Sequence, residues 1–207
     1  MRVAPIAIID FETTGISPAY GDRPTEVAIV LTEGGVVVDR FQSLMNPGVR
    51  IPAFITQLTG ITNAMVQAAP PVAQVMRDAA RFVGNCPMVA HNASFDRKFW
   101  QAELQQLGQR ADHPFACTVL LSRRLYPHSP NHQLGTLARH LGLPATGRAH
   151  RALADAEMTA ELLHHMHSLL HTQHGLTEVN HALLMALQTC SKAKVPAWLH
   201  NRALAQP

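Results

Sequence analysis

Ile6-Ala7-Ile8-Ile9-Asp10-Phe11-Glu12-Thr13-Thr14-Gly15 is an apolar run that closes on two acids and a glycine turn. Three of the four residues from Ile6 to Ile9 are β-branched, which suits a buried strand, expected over residues 3–9. Side chains two apart on a strand share a face, so Asp10 and Glu12 project together from its end. Two carboxylates this close beside an apolar run repel each other unless a cation or a proton intervenes. A divalent metal held by oxygen ligands meets that need. Read alone, the stretch is equally a polar strand end entering a turn.

Working outward, residues 25–32 read as a second strand. The pair Gly34-Gly35 is a hairpin signal, and residues 36–44 read as a third strand. The protein therefore opens as an antiparallel meander. Glu26 falls inside the second strand, either on a solvent face or as a buried partner near the acidic pair. Short helical pieces are expected within 52–69. Val72, Val75, Met76, Ala79, Ala80 and Val83 recur at helical spacing and predict a helix over 72–83. Pro87 to Ala90 reads as a short buried strand, followed by His91-Asn92 and a helix from Ala93 to about Leu107, with Asp96 in its first turn. A turn between a strand and a helix lies at the end of the sheet where α/β proteins bind ligands. A last strand is expected at 114–117, helices at about 117–125 and 133–141, and a long helix from about Arg151 to His171. A further helical stretch, 176–189, lies in a tail ending at Val195-Pro196-Ala197-Trp198-Leu199.

The 207 residues suffice for one well-buried domain with a small extension. Hydrophobic content of 47% and charged content of 15% exclude a disordered chain. The apolar runs fall short of a membrane span, and the first residues carry no cleavage-site pattern. Cys86, Cys117 and Cys190 are odd in number and lack a CxxC pair, so a disulfide framework and a zinc knuckle are not expected and a reducing cytoplasm fits. The formal charge of +3 mildly favours a polyanionic ligand.

His150 and Asp155 occur in His-Arg-Ala-Leu-Ala-Asp. If both were helical they would stand about 140° apart around the axis, too far to serve one point. His150 is therefore expected on the loop before the helix and Asp155 within it. A loop histidine that titrates near neutrality suits a general base.

These segments, Asp10-Phe-Glu12-Thr13-Thr14-Gly15, His91-Asn92-Ala-Ser-Phe-Asp96 and His150-Arg-Ala-Leu-Ala-Asp155, together resemble the DEDDh 3′–5′ exonucleases. The DnaQ-like branch, which includes the proofreading epsilon subunits of bacterial DNA polymerase III, is the nearest in pattern. Leu58-Thr59-Gly60-Ile61-Thr62 and Asn131-His132-Gln133-Leu134-Gly-Thr-Leu137 also resemble that branch, and the likeness covers roughly residues 5 to 172.

The resemblance implies an α/β, ribonuclease-H-like fold: a mixed five-stranded sheet flanked by helices, with an exonuclease domain over residues 1–174 and a helical C-terminal extension over 175–207. It implies two Mg²⁺ or Mn²⁺ ions on Asp10, Glu12, Asp96 and Asp155. Asp10 would bridge them, Glu12 and Asp155 would share one, and Asp96 would hold the other chiefly through water. His150 is the implied base. Thr13 and Thr14 would meet the 3′-hydroxyl of the terminal nucleotide through their backbone. Asn92 would be a structural or substrate-side residue near the helix start, and Leu58 and Phe95 would give apolar contacts to terminal bases. Phe95 also reads as a plain core aromatic. The implied activity is hydrolysis at the 3′ end of single-stranded or frayed DNA, releasing nucleoside 5′-monophosphates, in proofreading or repair, either beside a DNA polymerase catalytic subunit or as a stand-alone enzyme, with no membrane. An RNA-trimming or oligoribonucleotide exonuclease is the alternative within the superfamily, since only the 2′-hydroxyl separates the substrates. A non-catalytic docking or nucleic-acid-binding module would be expected to lack a site residue, and all five are present.

His164, His167, His171 and His174 fall on one helical face. A polar helix face accounts for that spacing better than a zinc site. Gln188-Thr-Cys is only a faint match to a sliding-clamp peptide, because Ser-Lys-Ala-Lys follows instead of apolar residues.

Overall fold

The computed structural model describes residues 5–206, so residues 3 and 4 of the expected first strand lie outside it. One sheet of five strands carries the order β3-β2-β1-β4-β5. Its members are β1 (Ile6–Thr13), β2 (Pro24–Glu33), β3 (Val36–Leu44), β4 (Met88–Ala90) and β5 (Phe115–Cys117). The first three form the meander, and β4 and β5 add in parallel to β1. The helices are α1 (Ala53–Thr59), α2 (Asn63–Gln67), α3 (Val72–Val83), α4 (Ala93–Gln106), α5 (Thr118–Leu125), α6 (Leu134–Leu141), α7 (Ala152–His174), α8 (His181–Thr189) and α9 (Val195–Leu204).

Alternation along β1 sorts its side chains between two cores. Ala7, Ile9 and Phe11 face α3 and α4, together with Trp100, Phe99 and Met76. Ile6 and Ile8 face the other way, onto α7 and the apolar side chains of α5, α6 and α8. Asp10 and Glu12 continue this second face, so the acids point toward α7. On β2, Ala28 and Val30 line the same face, and Glu26 is in phase with them.

The first strand runs to Thr13, four residues past the expected end, because β2 keeps pairing with it through Asp10↔Ala28, Glu12↔Glu26 and Thr13↔Pro24. Asp10 and Glu12 therefore sit inside a strand rather than beyond one. The short strand β4 stops at Ala90. That leaves the β4-facing edge of β1 open near its end, and Asp96 of α4 fills it by accepting the Phe11 N–H at 3.1 Å.

The tail differs most from expectation. Helix begins at His181, not 176, and a further helix, α9, follows at Val195–Leu204 with Pro196 in its first turn, where a missing N–H costs nothing. Leu176, Val179, Leu184, Leu187, Val195 and Leu199 are buried in the α7-side core. Gln188 behaves as a strand neighbour to β5: its Oε1 accepts the Cys117 N–H at 2.7 Å and its amide donates to the Phe115 carbonyl at 3.3 Å. His181 lies against Met88, its Nε2–H directed at the carbonyl oxygen at 2.8 Å. The three cysteines are unpaired, and among the described residues no helix is long and apolar enough to cross a membrane.

Candidate active site

Strand pleat brings Asp10, Glu12 and Glu26 to one face, with Glu12 directly opposite Glu26 on the ladder. Like charges opposed in this way destabilise a sheet. Arg151, the residue before α7, relieves it. Its Nη2 and Nε donate to the two Glu26 oxygens at 2.8 and 3.1 Å, the Ala152 N–H donates at 3.1 Å, and Gln42 adds a fourth bond at 2.9 Å. Burial pushes the Glu26 carboxyl up, but these bonds outweigh it and hold it below its ordinary value. Glu26 thus anchors the start of α7 to the sheet. Of the two readings open for it, the buried partner is the one observed.

With the helix start fixed, Asp155 falls one turn inside α7, and His150 lies on the preceding loop. The His150 backbone N–H donates to Asp155 Oδ2 at 3.0 Å. Glu12, His150 and Asp155 converge: one ligand atom from each lies within 4.8 Å of the others, and among the described residues no other group of His, Cys, Asp and Glu could hold a metal in this way.

The acids carry the electrostatic cost of that arrangement. Burial, then the charges of Asp96, Glu12, Asp155 and Glu26, raises Asp10 well above its ordinary value. Burial followed by Asp155, Glu26 and Asp96 pushes Glu12 up to about 8. Asp96 is raised to about 7 by burial, against the opposing N–H of Phe11. Burial also raises Asp155, partly offset by the N–H of His150. Asp10 feels the charges of Asp96, Glu12 and Asp155, and Glu12 those of Asp155 and Asp96, so these acids lie near one another, and an oxygen donor set of this kind with an imidazole beside it fits a hard divalent ion.

Two backbone features support the site. Asn92 (φ 70) and His150 (φ 59) are the non-glycine residues with left-handed backbone among those described, a conformation that is costly and gathers where structure is held for function. Asn92 precedes the helix of Asp96, and His150 the helix of Asp155. At Gly15 a side chain is excluded, since a Cβ would lie 2.2 Å from Asp22 Oδ1, whose partner Oδ2 accepts the Ser17 N–H at 3.0 Å.

Thr13 and Thr14 are buried. The Thr14 N–H donates to the Arg23 carbonyl at 2.9 Å and its hydroxyl accepts the Arg23 N–H at 3.0 Å, so both groups are engaged within the turn. Arg23 in turn holds Glu103 of α4 through bonds of 2.8 and 2.9 Å. Phe95 is half-buried against Phe99, ring centroids 5.1 Å apart. Asn92 is exposed, and Leu58 is 49% exposed on α1.

Other residues escaped the sequence. Phe54 is 65% exposed and stands four residues before Leu58, so the two form one apolar face of α1; the spacing was the available signal. Arg148, on the His150 loop, reaches α1: a Cβ on Gly60 would lie 2.9 Å from its Nη1. Ile16 is 70% exposed just past the acidic turn. His91 is a structural link. Its Nε2–H donates to the His132 carbonyl at 3.0 Å, leaving Nδ1 to accept from Thr118 at 2.9 Å, and burial lowers it to about 4. Of the helix-face histidines, His171 meets the Leu176 carbonyl and His164 lies against Gly35, while the buried Nε2 of His167 has no hydrogen-bond partner among the described residues; the neighbouring His165 meets the Tyr126 hydroxyl.

A family model described as an exonuclease (RNase T) matches residues 7–163. The chain is 44% identical over 157 residues to the DNA polymerase III PolC-type of Oceanobacillus iheyensis and 42% identical over 158 residues to that of Bacillus subtilis. Each match covers 75% of this chain but 11% of the polymerase, so the chain spans a small fraction of these relatives. The structure of exonuclease X in complex with 5′-overhanging duplex DNA has 26% identity and a TM-score of 0.70, covering 88% of this chain and 99% of that one. The nuclease domain of a DEDDh 3′ exonuclease bound to rAMP shares the fold at 23% identity and a TM-score of 0.68, over 80% of this chain and 92% of that one.

Proposed function

The chain belongs to the RNase T family of exonucleases, and from that premise we propose that it removes nucleotides from the 3′ end of a single-stranded or frayed DNA strand, releasing nucleoside 5′-monophosphates. The observation that carries this reading is the convergence of Glu12, His150 and Asp155 beside the buried Asp10 and Asp96. Mutually repelling acids this close are stable together once a cation or a proton comes between them.

The residues proposed to hold two Mg²⁺ or Mn²⁺ ions are Asp10, Glu12, Asp96 and Asp155. When bound, such ions lower the pKa of water and offset charge on the attacked phosphate and the leaving oxygen. His150 takes the proton from the attacking water. Its neighbour Asp155, bonded to the His150 backbone, keeps the loop close enough for that transfer. The bond that breaks joins phosphorus to the 3′ oxygen of the penultimate nucleotide. The turn at Thr13 and Thr14 borders the terminal sugar, Asn92 stands on the substrate side, and Leu58, with Phe54 beside it, offers an apolar face to the last bases.

DNA is the proposed substrate, and a working place in the cytoplasm beside a DNA polymerase catalytic subunit is the proposed setting; the identity to a segment of DNA polymerase III supports both. We divide the chain into an exonuclease domain over residues 1–174 and a helical extension over 175–207. The family match ending at residue 163 and the break of α7 at Gly175 support that division. The test is digestion of matched 5′-labelled DNA and RNA strands with Mg²⁺, Mn²⁺ or chelator. Stepwise shortening of DNA from the 3′ end that stops with chelator is expected. Metal-independent cleavage, or none, overturns the reading, and faster shortening of RNA replaces DNA as the substrate.

A further inference from the structure

Beyond the acids, α4 leads into a second concavity. A cavity of about 340 Å³ opens where Asn92 begins this helix and is walled by Cys117 of β5, Leu120 of α5 and Gln188 of α8. That volume is at the small end of ligand pockets and leaves room for about one nucleotide. Two guanidinium groups line it, Arg97 from α4 and Arg123 from α5. Both residues are exposed, and neither is among the ion pairs of the described residues.

Placement gives the cavity its meaning. Arg97 follows Asp96 directly, so the helix that offers a carboxylate to the reaction centre offers a guanidinium to the cavity next to it. Asn92 stands between the two. On the far side, Arg123 and Lys192, the latter from the turn before α9, both press positive charge on His132. Arg97 and Arg123 thus bring positive charge to a cavity on the helix that also carries Asp96. Arginine forks match phosphate oxygens in pairs, and the backbone of a strand carries one phosphate per nucleotide.

We propose that this cavity is a subsite for the sugar-phosphate backbone of the strand upstream of its 3′ end, with Arg97 and Arg123 each bonded to a phosphate. The inference rests on the exonuclease reading for the direction of the strand. It also gives the extension a role: Gln188 closes the cavity wall.

The test is fluorescence anisotropy of the full chain with a 5′-fluorescein twelve-nucleotide oligo(dT), in chelator so that no strand is cut, over a range of salt concentrations. Each neutralised phosphate on a single strand contributes about 0.7 to the slope of log affinity against log salt. The double variant Arg97→Ala/Arg123→Ala is expected to lower that slope by about 1.4 on the long strand, and by less than half as much on a dinucleotide. Arg77→Ala/Arg81→Ala, removing two arginines of α3, is the control and is expected to leave the slope as in the parent. An unchanged slope, an equal fall in the control, or an equal fall on the dinucleotide overturns the subsite. Failure of the parent to shorten DNA with Mg²⁺, with the slope difference intact, removes the exonuclease reading and leaves a backbone-binding cavity standing.

Discussion

Glu26 and Arg151 are joined by two hydrogen bonds of 2.8 and 3.1 Å across 125 residues of chain, and they set where α7 begins on the sheet. The Glu26 side chain is 1% exposed and that of Arg151 32%. Removing the arginine leaves a buried carboxylate facing Glu12 without its cation. Arg151→Ala is expected to lower stability by roughly 3 kcal/mol, read as the midpoint of urea unfolding. Arg151→Lys should recover only part, because an ammonium cannot make the paired fork. An unchanged midpoint for Arg151→Ala would show that the helix start is held by something else.

Asp10 lies at the centre of the repulsion, with Asp96, Glu12, Asp155 and Glu26 all raising it. Asp10→Asn should therefore raise the melting temperature of the metal-free protein, by about 2–4 °C for each kcal/mol relieved in a chain of this size. The same change should abolish metal-dependent shortening of DNA, as should Asp155→Ala with the circular dichroism of the fold retained. A variant that is both active and unaltered in melting would remove Asp10 from the site.

Stability should also depend on pH in a defined sense. Glu12, near 8, and Asp96, near 7, bind protons in the folded state at pH values where the unfolded carboxyls have lost them. A folded state holding more protons loses stability as pH rises. The half-buried His91 and His167, both near 4, and His132, His165 and His181, also lowered by burial, act oppositely, most strongly below about pH 6.5 and little above about pH 7.5, where unfolded histidines have lost their protons. From about pH 7.5 to 8.5 the acids dominate, and the metal-free protein should lose on the order of 1 kcal/mol. Added Mn²⁺ should return it, most strongly at the upper end. Calorimetry at fixed salt with and without chelator checks both statements, and a flat or rising profile would contradict the buried cluster.

His150 has a left-handed backbone at φ 59. Glycine adopts that conformation freely, so His150→Gly keeps the loop while removing the imidazole. Loss of a positioned base costs about 10²–10⁴ in rate. Both His150→Gly and His150→Ala should fall in that range, with little change in the Mn²⁺ concentration giving half-maximal activity. Full rate in His150→Gly would strip the residue of its role as base.

How much of this could be read from the residues depends on the range of the interactions. Periodicity fixed α3 to the residue, and the even spacing of Asp10 and Glu12 placed both on one face whether or not the strand had ended. The placement of Asp96 and Asp155 beside them came from the resemblance, because acids 86 and 145 positions away from Asp10 carry no local sign of sharing its pocket. For His150 and Asp155, helical geometry alone was enough to separate loop from helix. The Glu26–Arg151 pair was only half visible: an acid inside a strand is notable, but its cation is set by tertiary packing. Pro196 concealed α9, since the residue that ends a helix internally is tolerated at its start. Phe54, exposed beside the expected Leu58, was missed for a simpler reason, that an apolar residue in a seven-residue helix looks like core.

Gln188 has an effect beyond the packing of the tail. By taking both backbone groups on the outer side of β5, it leaves that margin of the sheet with nothing to offer an approaching chain. The opposite margin, β3, carries Val36 and Val38 at 65% and 51% exposure. The two margins of the sheet therefore differ: among the described residues β5 is capped by Gln188, and a protein that docks by adding a strand would meet the Val36–Leu44 side, which lies across β2 and β1 from the cavity of Arg97 and Arg123.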